Sequence, residues 1–418
     1  MIIGNSIAGL TAAQSIRSVD KDAQITIISD EEGPTYTRVL TTYYIGKEID
    51  KDDMNLVSEE FYNENNIETI FGCRAEKVNS NDKVVLLDNG QTINYDRLLI
   101  ATGATPSLPD VEGINKDGVF TLRSKDDATE VRNYVEYIKY KHPDRQKKAI
   151  ILGGGLVCMK TATALANHGI DITFVIGSNQ ISSQFLDYTG SLILRDRMVK
   201  NGCKILTSSV VVGVIGTGTV KQVLLNSGET VDADMVIVGK GVNPNVELLE
   251  GTDVNIEDGI VVDEYMSTTV PDIYAAGDVA ESYDIVTNNY EVNAIWPVAR
   301  EEGKIAGLNM AGVKRKFPGA LRMNVVEVFG VKAASVGEVR PTSEKYEEIV
   351  ISNSPGDYKK IIVKDNFVAG GVFIGDNVDA AGILQNYIRQ GIRIDKFPIF
   401  DQLTRGYGAG YSKVRRLA

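Results

Sequence analysis

The stretch that decides the fold is Met1–Gly9, MIIGNSIAG, which opens the 418-residue chain. Two isoleucines end a short strand, Gly4 allows a tight turn, and Gly9 lets the following helix pack close to that strand. This layout directs a helix N-terminus and open backbone N–H groups towards a pyrophosphate. The stretch therefore predicts a Rossmann-type βαβ unit, with Ser6 at the position of the middle glycine.

An acidic group follows at the distance that this unit requires. Gln24–Ser29 (QITIIS) is typical of a second strand, and Asp30, Glu31 and Glu32 come directly after it. A carboxylate about 20 residues beyond the turn holds the ribose hydroxyls of a dinucleotide. Turn, strand and acid occur in the required order, so we predict a bound dinucleotide here rather than an ordinary βαβ turn.

A second turn of the same type, Ala149–Cys158 (AIILGGGLVC), lies about 150 residues further on. Two such turns in one chain predict two dinucleotides that exchange electrons. Cys158 stands where the helix-packing glycine belongs, and Lys160 follows where a helix residue would face the cofactor. After the next strand, Ile176–Gln180 (IGSNQ) has neither a carboxylate for a ribose nor an arginine for a 2′-phosphate. We therefore expect weakened NAD(H) binding at this turn.

Composition narrows the class of protein. The length predicts two or three domains, and 43% hydrophobic with 24% charged residues is typical of a soluble globular chain. The sequence has no run of about 18 apolar residues, so we predict no membrane span. The chain opens on a strand rather than a signal peptide, so we predict a cytoplasmic protein. The net charge of −12 argues against nucleic-acid binding.

The cysteines and histidines predict no catalytic side chain. Cys73, Cys158 and Cys203 have no CxxC spacing, which argues against a redox disulfide and against a metal or iron–sulfur site. The two histidines, His142 and His168, show no catalytic pattern. We expect Cys158 to be a small buried helix residue rather than a reactive thiolate.

Two further glycine motifs make the pattern specific. Tyr95–Ala104 (YDRLLIATGA) is a buried strand that enters a glycine turn, and Asp272–Ala280 (DIYAAGDVA) repeats the theme with an aspartate after the glycine. With both glycine-rich turns, these motifs make the chain resemble the FAD-dependent pyridine nucleotide-disulfide oxidoreductase family. Tyr36–Leu40 (YTRVL) is similar to the branch of rubredoxin reductases and of the flavin domain of NADH-dependent nitrite reductase.

The resemblance implies an α/β fold with two Rossmann-like domains of the glutathione-reductase type and a small C-terminal α+β domain. It assigns residues 1–117 and 245–318 to an FAD-binding domain and 118–244 to an NAD(P)-binding-type domain. Residues 319–418 then form the C-terminal domain with a basic tail.

The resemblance also implies the residues of both sites. By the spacing in the family, Glu31 holds the flavin ribose, with Asp30 as the alternative, and Asp278 contacts a ribityl hydroxyl. The full FAD set comprises Gly4, Ser6, Ile7, Ala8, Gly9, Asp30, Glu31, Arg38, Ala101, Thr102, Gly103, Arg123, Gly277, Asp278 and Trp296. The set for NAD(H) at the eroded second turn comprises Gly153, Gly155, Leu156, Val157 and Gly241.

The position of the family's redox cysteines is occupied by Leu40–Tyr44 (LTTYY). Electrons must then leave the flavin directly. We therefore predict a flavoprotein that passes electrons between NAD(P)H and a redox protein or metalloenzyme partner, such as rubredoxin, ferredoxin or an iron–sulfur subunit. The alternative is an FAD electron-transfer subunit of a larger oxidoreductase complex, with a degenerate nicotinamide site.

The C-terminal region shows its own periodicity. Met323–Ala334 and Tyr358–Phe373 alternate like antiparallel strands, and Asp379–Gly391 predicts an amphipathic helix. We expect Ile383, Leu384, Tyr387 and Ile388 to form its apolar face. In the basic tail, Gln402–Ala418, we expect a docking surface for an acidic partner or a solvated end; its aromatic and basic residues are Arg405, Tyr407, Tyr411, Lys413, Arg415 and Arg416.

Overall fold

The computed structural model of the protein describes residues 1–351, 356–376 and 378–396. The basic tail, and with it the predicted docking surface, lies outside these residues. None of the described helices is long and apolar enough to cross a bilayer. Clusters of histidine, cysteine or acidic side chains that would suit a metal ion are absent from the same residues.

The described helices are α1 (Ile7–Val19), α2 (Thr41–Ile45), α3 (Glu60–Glu64), α4 (Lys125–Lys141), α5 (Leu156–Asn167), α6 (Tyr188–Lys200), α7 (Trp296–Met310) and α8 (Ala380–Gln390). The described strands are β1 (Ile2–Ile3), β2 (Ile25–Ser29), β3 (Ile67–Phe71), β4 (Ala75–Asn79), β5 (Val84–Leu87), β6 (Thr92–Asn94), β7 (Leu98–Ile100), β8 (Ala104–Pro106), β9 (Val119–Phe120), β10 (Lys148–Leu152), β11 (Asp171–Ile176), β12 (Lys204–Thr207), β13 (Val211–Ile215), β14 (Gln222–Leu225), β15 (Thr230–Asp232), β16 (Met235–Val238), β17 (Val242–Pro244), β18 (Ile260–Val261), β19 (Ile273–Ala275), β20 (Ala280–Asp284), β21 (Asn289–Val292), β22 (Met323–Val328), β23 (Val331–Gly337), β24 (Tyr346–Ile351), β25 (Tyr358–Lys364) and β26 (Phe367–Ile374).

The chain forms two compact units. The first comprises Met1–Leu40, Asp50–Thr105 and Val242–Ala320, and the second comprises Thr41–Ile49, Pro106–Gly241 and the chain from Leu321 onward. The three-domain division made from the sequence, with boundaries at 117, 244 and 318, stays a prediction.

A parallel sheet in the order β19-β7-β1-β2-β3 forms the centre of the first unit. Ile2 pairs with Ile27 on one side and with Leu99 on the other, and all three side chains are fully buried. Such apolar strands are expected where helices cover both faces of a parallel sheet. Helix α7 crosses α1 so closely that a Cβ on Gly303 would lie 2.2 Å from the carbonyl oxygen of Ala8.

The second unit repeats this plan. Its parallel sheet has the order β12-β11-β10-β16-β9, and α5 follows β10 as α1 follows β1. An antiparallel sheet, β13-β14-β15, packs its valines and leucines on the buried side chains of β10 and β16. Both glycine-rich turns therefore connect the central strand of a parallel sheet to a helix, as the sequence predicted.

The C-terminal residues of the second unit form an antiparallel sheet, β22-β23-β26-β25-β24, with α8 after it. The predicted strands and helix are therefore confirmed. The predicted apolar face of α8 was one residue too wide, because Ile383 is 38% exposed while Leu384 and Tyr387 are buried. Adjacent helix residues are about 100° apart, so a face centred on Leu384 leaves Ile383 at its solvent edge.

Candidate functional site

The first glycine turn connects the carboxyl end of β1 to the N-terminus of α1. A Cβ on Gly4 would lie 2.0 Å from the Ala101 carbonyl oxygen, and one on Gly9 would lie 2.0 Å from the Gly4 carbonyl oxygen. Both positions therefore require glycine. Ser6 precedes α1, but its side chain makes no capping hydrogen bond, and the first turn of α1 has no acidic residue. The first N–H groups of α1 are thus not claimed by these side chains, which suits a phosphate.

An ionic cluster lies just after β2. Glu31 accepts a hydrogen bond from the Tyr36 hydroxyl through Oε2 at 2.5 Å, and its Oε1 pairs with the Arg38 guanidinium. Burial opposes the charge on Arg38, but the electrostatic effects of Tyr36, Glu31 and Asp278, with the hydrogen bond to Glu31, outweigh burial and raise the Arg38 pKa. Asp30 is exposed. Arg38 therefore forms an ion pair with the acid after β2, and the Asp278 carboxylate adds to the electrostatic stabilisation of its charge.

The Gly277–Asp278 turn follows β19 at the same edge of the sheet. Gly277 has φ +83°, and a Cβ there would lie 3.2 Å from the Ala8 Cβ and 3.6 Å from the Ala299 Cβ. Glycine at this position thus keeps the turn against the first turns of both α1 and α7.

A buried carboxyl group holds this turn, and the sequence analysis missed it. Glu302, on α7, is 1% exposed. Its Oε2 accepts a hydrogen bond from the Gly277 N–H at 2.8 Å, and its Oε1 accepts one from the Ser282 hydroxyl at 2.6 Å. Burial, together with the nearby charges of Asp278 and Glu301, raises the pKa of Glu302 to about 8. The one sequence signal for its burial is that the residues three and four positions away from Glu302 on α7 are apolar.

The turn after β7 is fixed from a distant part of the chain. The Thr102 hydroxyl donates to the Asn245 carbonyl oxygen at 2.7 Å, and the Asn245 side chain donates back to the Thr102 carbonyl oxygen at 3.0 Å. The Asn245 N–H also donates to the Gly103 carbonyl oxygen at 3.0 Å. Asn245 thus clamps the turn that the sequence assigned to the flavin, although it was itself no part of the predicted site.

Unpaired polar atoms lie at the start of α7. Among the described residues, the indole Nε1 of Trp296 and both side-chain polar atoms of Asn293 are buried without a hydrogen-bond partner. Asn293 is 4% exposed. An unpaired buried polar group costs about 1–3 kcal/mol, so a polar ligand that supplied the partners would stabilise this end of the unit. This observation fits a flavin, whose ring carries donors and acceptors.

The structure therefore brings together, in the first unit, all the residues predicted for FAD except Arg123. Arg123 belongs to the second unit, where its N–H donates to the Asp127 carboxylate at 2.7 Å, beside the Ser124–Asp127 capping box of α4. The role predicted for Arg123 at the flavin has no support from this location and stays a prediction.

The second glycine turn, in the second unit, has the same close backbone approach as the first, although a larger side chain replaces a glycine on its helix. A Cβ on Gly153 would lie 2.1 Å from the Gly239 carbonyl oxygen, as one on Gly4 would meet Ala101. Gly239 is thus the counterpart of Ala101. A Cβ on Gly239 would lie 2.2 Å from the Cys158 sulfur. The larger residue on the helix is accommodated by a smaller one at the neighbouring strand end.

The remaining predicted residues of this turn lie around the start of α5. Gly155 precedes the helix, and a Cβ there would have open space, while Val157 is 51% exposed. Gly241, after β16, has similar open space. These positions leave the first turn of α5 accessible to a ligand.

Cys158 and Lys160 have partners within the same unit. Cys158 is 1% exposed, so the expectation of a buried helix residue is confirmed, and burial raises the pKa of its thiol to about 11. The Lys160 ammonium lies 3.9 Å from the centre of the Tyr43 ring. This cation–π contact fixes Lys160 on α2.

Two helix N-termini at glycine turns, in two separate parallel sheets, define a protein with two dinucleotide-binding units. The family profile described as "Pyridine nucleotide-disulphide oxidoreductase" matches residues 1–303, and "Rubredoxin NAD+ reductase C-terminal domain" matches residues 323–392. The chain belongs to the pyridine nucleotide-disulphide oxidoreductase family. The predicted family, fold class and cofactor class, FAD with NAD(H), are confirmed.

Individual relatives agree with this assignment. A nitrite reductase [NAD(P)H] of Bacillus subtilis is 30% identical over 90% of this chain and 45% of its own length. An NADH oxidase of Methanocaldococcus jannaschii is 33% identical over 81% of this chain and 75% of its own. The crystal structure of NADH:rubredoxin oxidoreductase from Clostridium acetobutylicum has a TM-score of 0.75 and 26% identity, covering 96% and 97% of the two chains. The chain spans about half the length of the first curated relatives.

Proposed function

We propose that this protein is an FAD-dependent oxidoreductase that passes electrons between NAD(P)H and a redox-protein or metalloenzyme partner without a redox disulfide. Bound FAD would accept a hydride from the nicotinamide and give up electrons to the partner. The observation that carries the proposal is the pair of glycine turns, each of which connects the central strand of a parallel sheet to the N-terminus of a helix, α1 in the first unit and α5 in the second.

We assign the flavin contacts as follows. The N-terminus of α1, with Gly4, Ser6 and Gly9, binds the pyrophosphate. Asp278 binds the ribityl chain. Asp30 holds the ribose, because its side chain is exposed, whereas Glu31 is ion-paired with Arg38. This assignment favours the second of the two acids named in the sequence analysis.

The ring end of the flavin is assigned to the start of α7. Trp296 and Asn293 offer buried donors and an acceptor that lack partners among the described residues. Asn293 joins the proposed site on this observation alone, since no sequence motif singled it out.

Thiols do not fit the electron path. The structure records Cys73, Cys158 and Cys203 as free. Burial raises the thiol pKa to about 11 at Cys158 and to about 12 at Cys203. Both remain protonated near neutral pH, and a thiol is a poor redox nucleophile. Because Leu40–Tyr44 also has no cysteine where the family carries its redox cysteines, electrons leave the flavin directly to the acceptor.

The alternative, a subunit with a degenerate nicotinamide site, is not favoured. Gly239 makes the room that Cys158 needs, so the second turn keeps the close strand–helix packing of the first. The first turn of α5 is also left accessible, because a Cβ on Gly155 would have open space and Val157 is 51% exposed. We therefore treat the second unit as an adapted nucleotide site.

The names of the relatives support the class of partner, and the cysteines support the compartment. Rubredoxin in one relative and the nitrite-reducing enzyme in another point to a small redox protein or a metalloenzyme domain as electron partner. We place the protein in the cytoplasm, because free cysteines persist in reducing compartments.

Anaerobic titration of the purified protein tests the function. We expect NADH or NADPH to bleach the flavin absorbance, and reduced protein to transfer electrons to purified rubredoxin or ferredoxin. Asp278→Ala should lower FAD occupancy after gel filtration, whereas Glu250→Gln, at an exposed acid of the same unit, should not. Full FAD retention in Asp278→Ala, or no bleaching at millimolar nucleotide, would contradict the proposal.

A further inference from the structure

We propose that the nucleotide site of the second unit accepts NADH and NADPH with little preference. The inference rests on the proposed function and deepens it, because it names the electron donors. Its basis is that the two loops at the carboxyl end of β11, residues 176–180 and 207–210, contain no charged side chain.

The two units can be compared residue by residue through their backbone hydrogen bonds. The Gly4 N–H donates to the Ile28 carbonyl oxygen at 2.8 Å, and the Gly153 N–H donates to that of Val175 at 3.1 Å. Ile28 and Val175 are therefore equivalent. Counting on from them, the acidic pair Asp30 and Glu31 of the first unit corresponds to Gly177 and Ser178 of the second.

The last residue of β11 is also apolar. Ile176 is 4% exposed, and its terminal methyl lies 3.1 Å from where a Cβ on Gly154 would be. The side chain therefore lies over the middle of the glycine turn, at the edge where a ribose would reach β11. A carboxylate at this edge holds the ribose hydroxyls of NAD and repels the 2′-phosphate of NADP, and an isoleucine does neither.

The neighbouring loop is held against this edge and is equally uncharged. The Ser208 N–H donates to the Ser178 carbonyl oxygen at 2.9 Å, and the Ser209 N–H donates to the Ile176 carbonyl oxygen at 3.0 Å. Gly177 faces Val210, whose methyl is 3.8 Å from where a Cβ would stand. Recognition of a 2′-phosphate takes an arginine or lysine, and these loops supply neither.

Two lysines of the unit, Lys160 on α5 and Lys240 after β16, lie on segments that adjoin the glycine turn. Lys160 is stacked on Tyr43. Lys240 follows β16, and β16 lies on the opposite side of β10 from β11, so Lys240 flanks the other side of the turn. Neither charge is placed to read the group at the 2′ position of the ribose.

Ser178 allows a matched test with opposite charges. It is exposed, and its hydroxyl bonds only locally, to the Gln180 carbonyl oxygen at 2.7 Å. Flavin reduction is followed by stopped flow against NADH and NADPH. We expect half-saturation of the unmodified protein to differ less than about tenfold between them. Ser178→Glu should shift the ratio of the two half-saturation concentrations by about tenfold in favour of NADH, and Ser178→Arg should shift it by about tenfold in favour of NADPH. Ser178→Ala, the control, should leave this ratio unchanged.

A second readout separates the inference from the proposed function. Calorimetric titration of the FAD-loaded protein with ADP-ribose and with 2′-phospho-ADP-ribose measures discrimination without any electron transfer. Similar affinities for both support the inference even if neither nucleotide reduces the flavin, which would contradict only the function. A preference above about tenfold for one of them, or variants that shift together in one direction, would overturn the inference.

Discussion

Replacing Glu302 by glutamine is expected to make the first unit more stable above pH 7 and to leave it nearly unchanged at pH 5. Glu302 is fully enclosed, and both its oxygens accept hydrogen bonds, from Gly277 and from Ser282. Its charged form is disfavoured by burial and by the neighbouring Asp278 and Glu301. Glutamine has nearly the same shape and no charge at any pH.

The magnitude follows from the pKa. A rise from 4.5 to about 8 makes the folded state hold this proton more tightly than the unfolded chain. The contribution is present in full below pH 4.5, falls by about 1.4 kcal/mol per pH unit as pH rises, and is lost above pH 8. Over the whole interval it amounts to about 5 kcal/mol. Glu302→Gln removes this slope.

The assay is urea unfolding at several pH values between 5 and 9, followed by the rise in flavin fluorescence on FAD release. The unmodified protein should lose midpoint stability between pH 5 and 8 more steeply than Glu302→Gln does. Glu250→Gln, at an exposed carboxylate of the same unit, should follow the unmodified profile. Parallel profiles for the unmodified protein and Glu302→Gln would refute the claim that the buried carboxyl group is protonated at neutral pH.

Three further outcomes are expected from the packing and the thiols. Gly239→Ala should destabilise the second unit by about 1–3 kcal/mol in thermal unfolding, because the added methyl group would overpack against the Cys158 sulfur. Adding Cys158→Ala should restore most of this loss. If the effects of the two substitutions simply added, the coupling between these residues would be contradicted. Gly303→Ala should prevent stable FAD binding, because its Cβ would lie 2.2 Å from the Ala8 carbonyl oxygen, and a fully flavinated, soluble variant would show that the α1–α7 crossing tolerates displacement. Replacing all three cysteines by serine or alanine should leave flavin reduction within a few-fold, and loss of turnover with FAD retained would place a thiol in the electron path.

The sequence predicted the elements whose conformation depends on residues close together in the chain. Gly4 and Gly9 lie within one turn: Gly4 has φ +114°, and a Cβ on Gly9 would lie 2.0 Å from the Gly4 carbonyl oxygen. The same holds for Gly153 and for the alternating strands of the C-terminal sheet. Local backbone sterics and periodicity determine such features, so they are legible without tertiary contacts.

The contacts that hold these turns in place are visible only in the tertiary structure. Glu302 is 25 residues from Gly277, Asn245 is 143 residues from Thr102, and Gly239 is 81 residues from Cys158. A sequence pattern in Ile176–Gln180 showed the missing ribose acid, but not that a second uncharged loop closes on it. Three features depend on which distant segments the sheets bring together: the burial of Glu302, the hydrogen bonds of Asn245 to Thr102, and the fit of Gly239 to Cys158. Tertiary packing determines them, and the spacing of residues along the sequence does not.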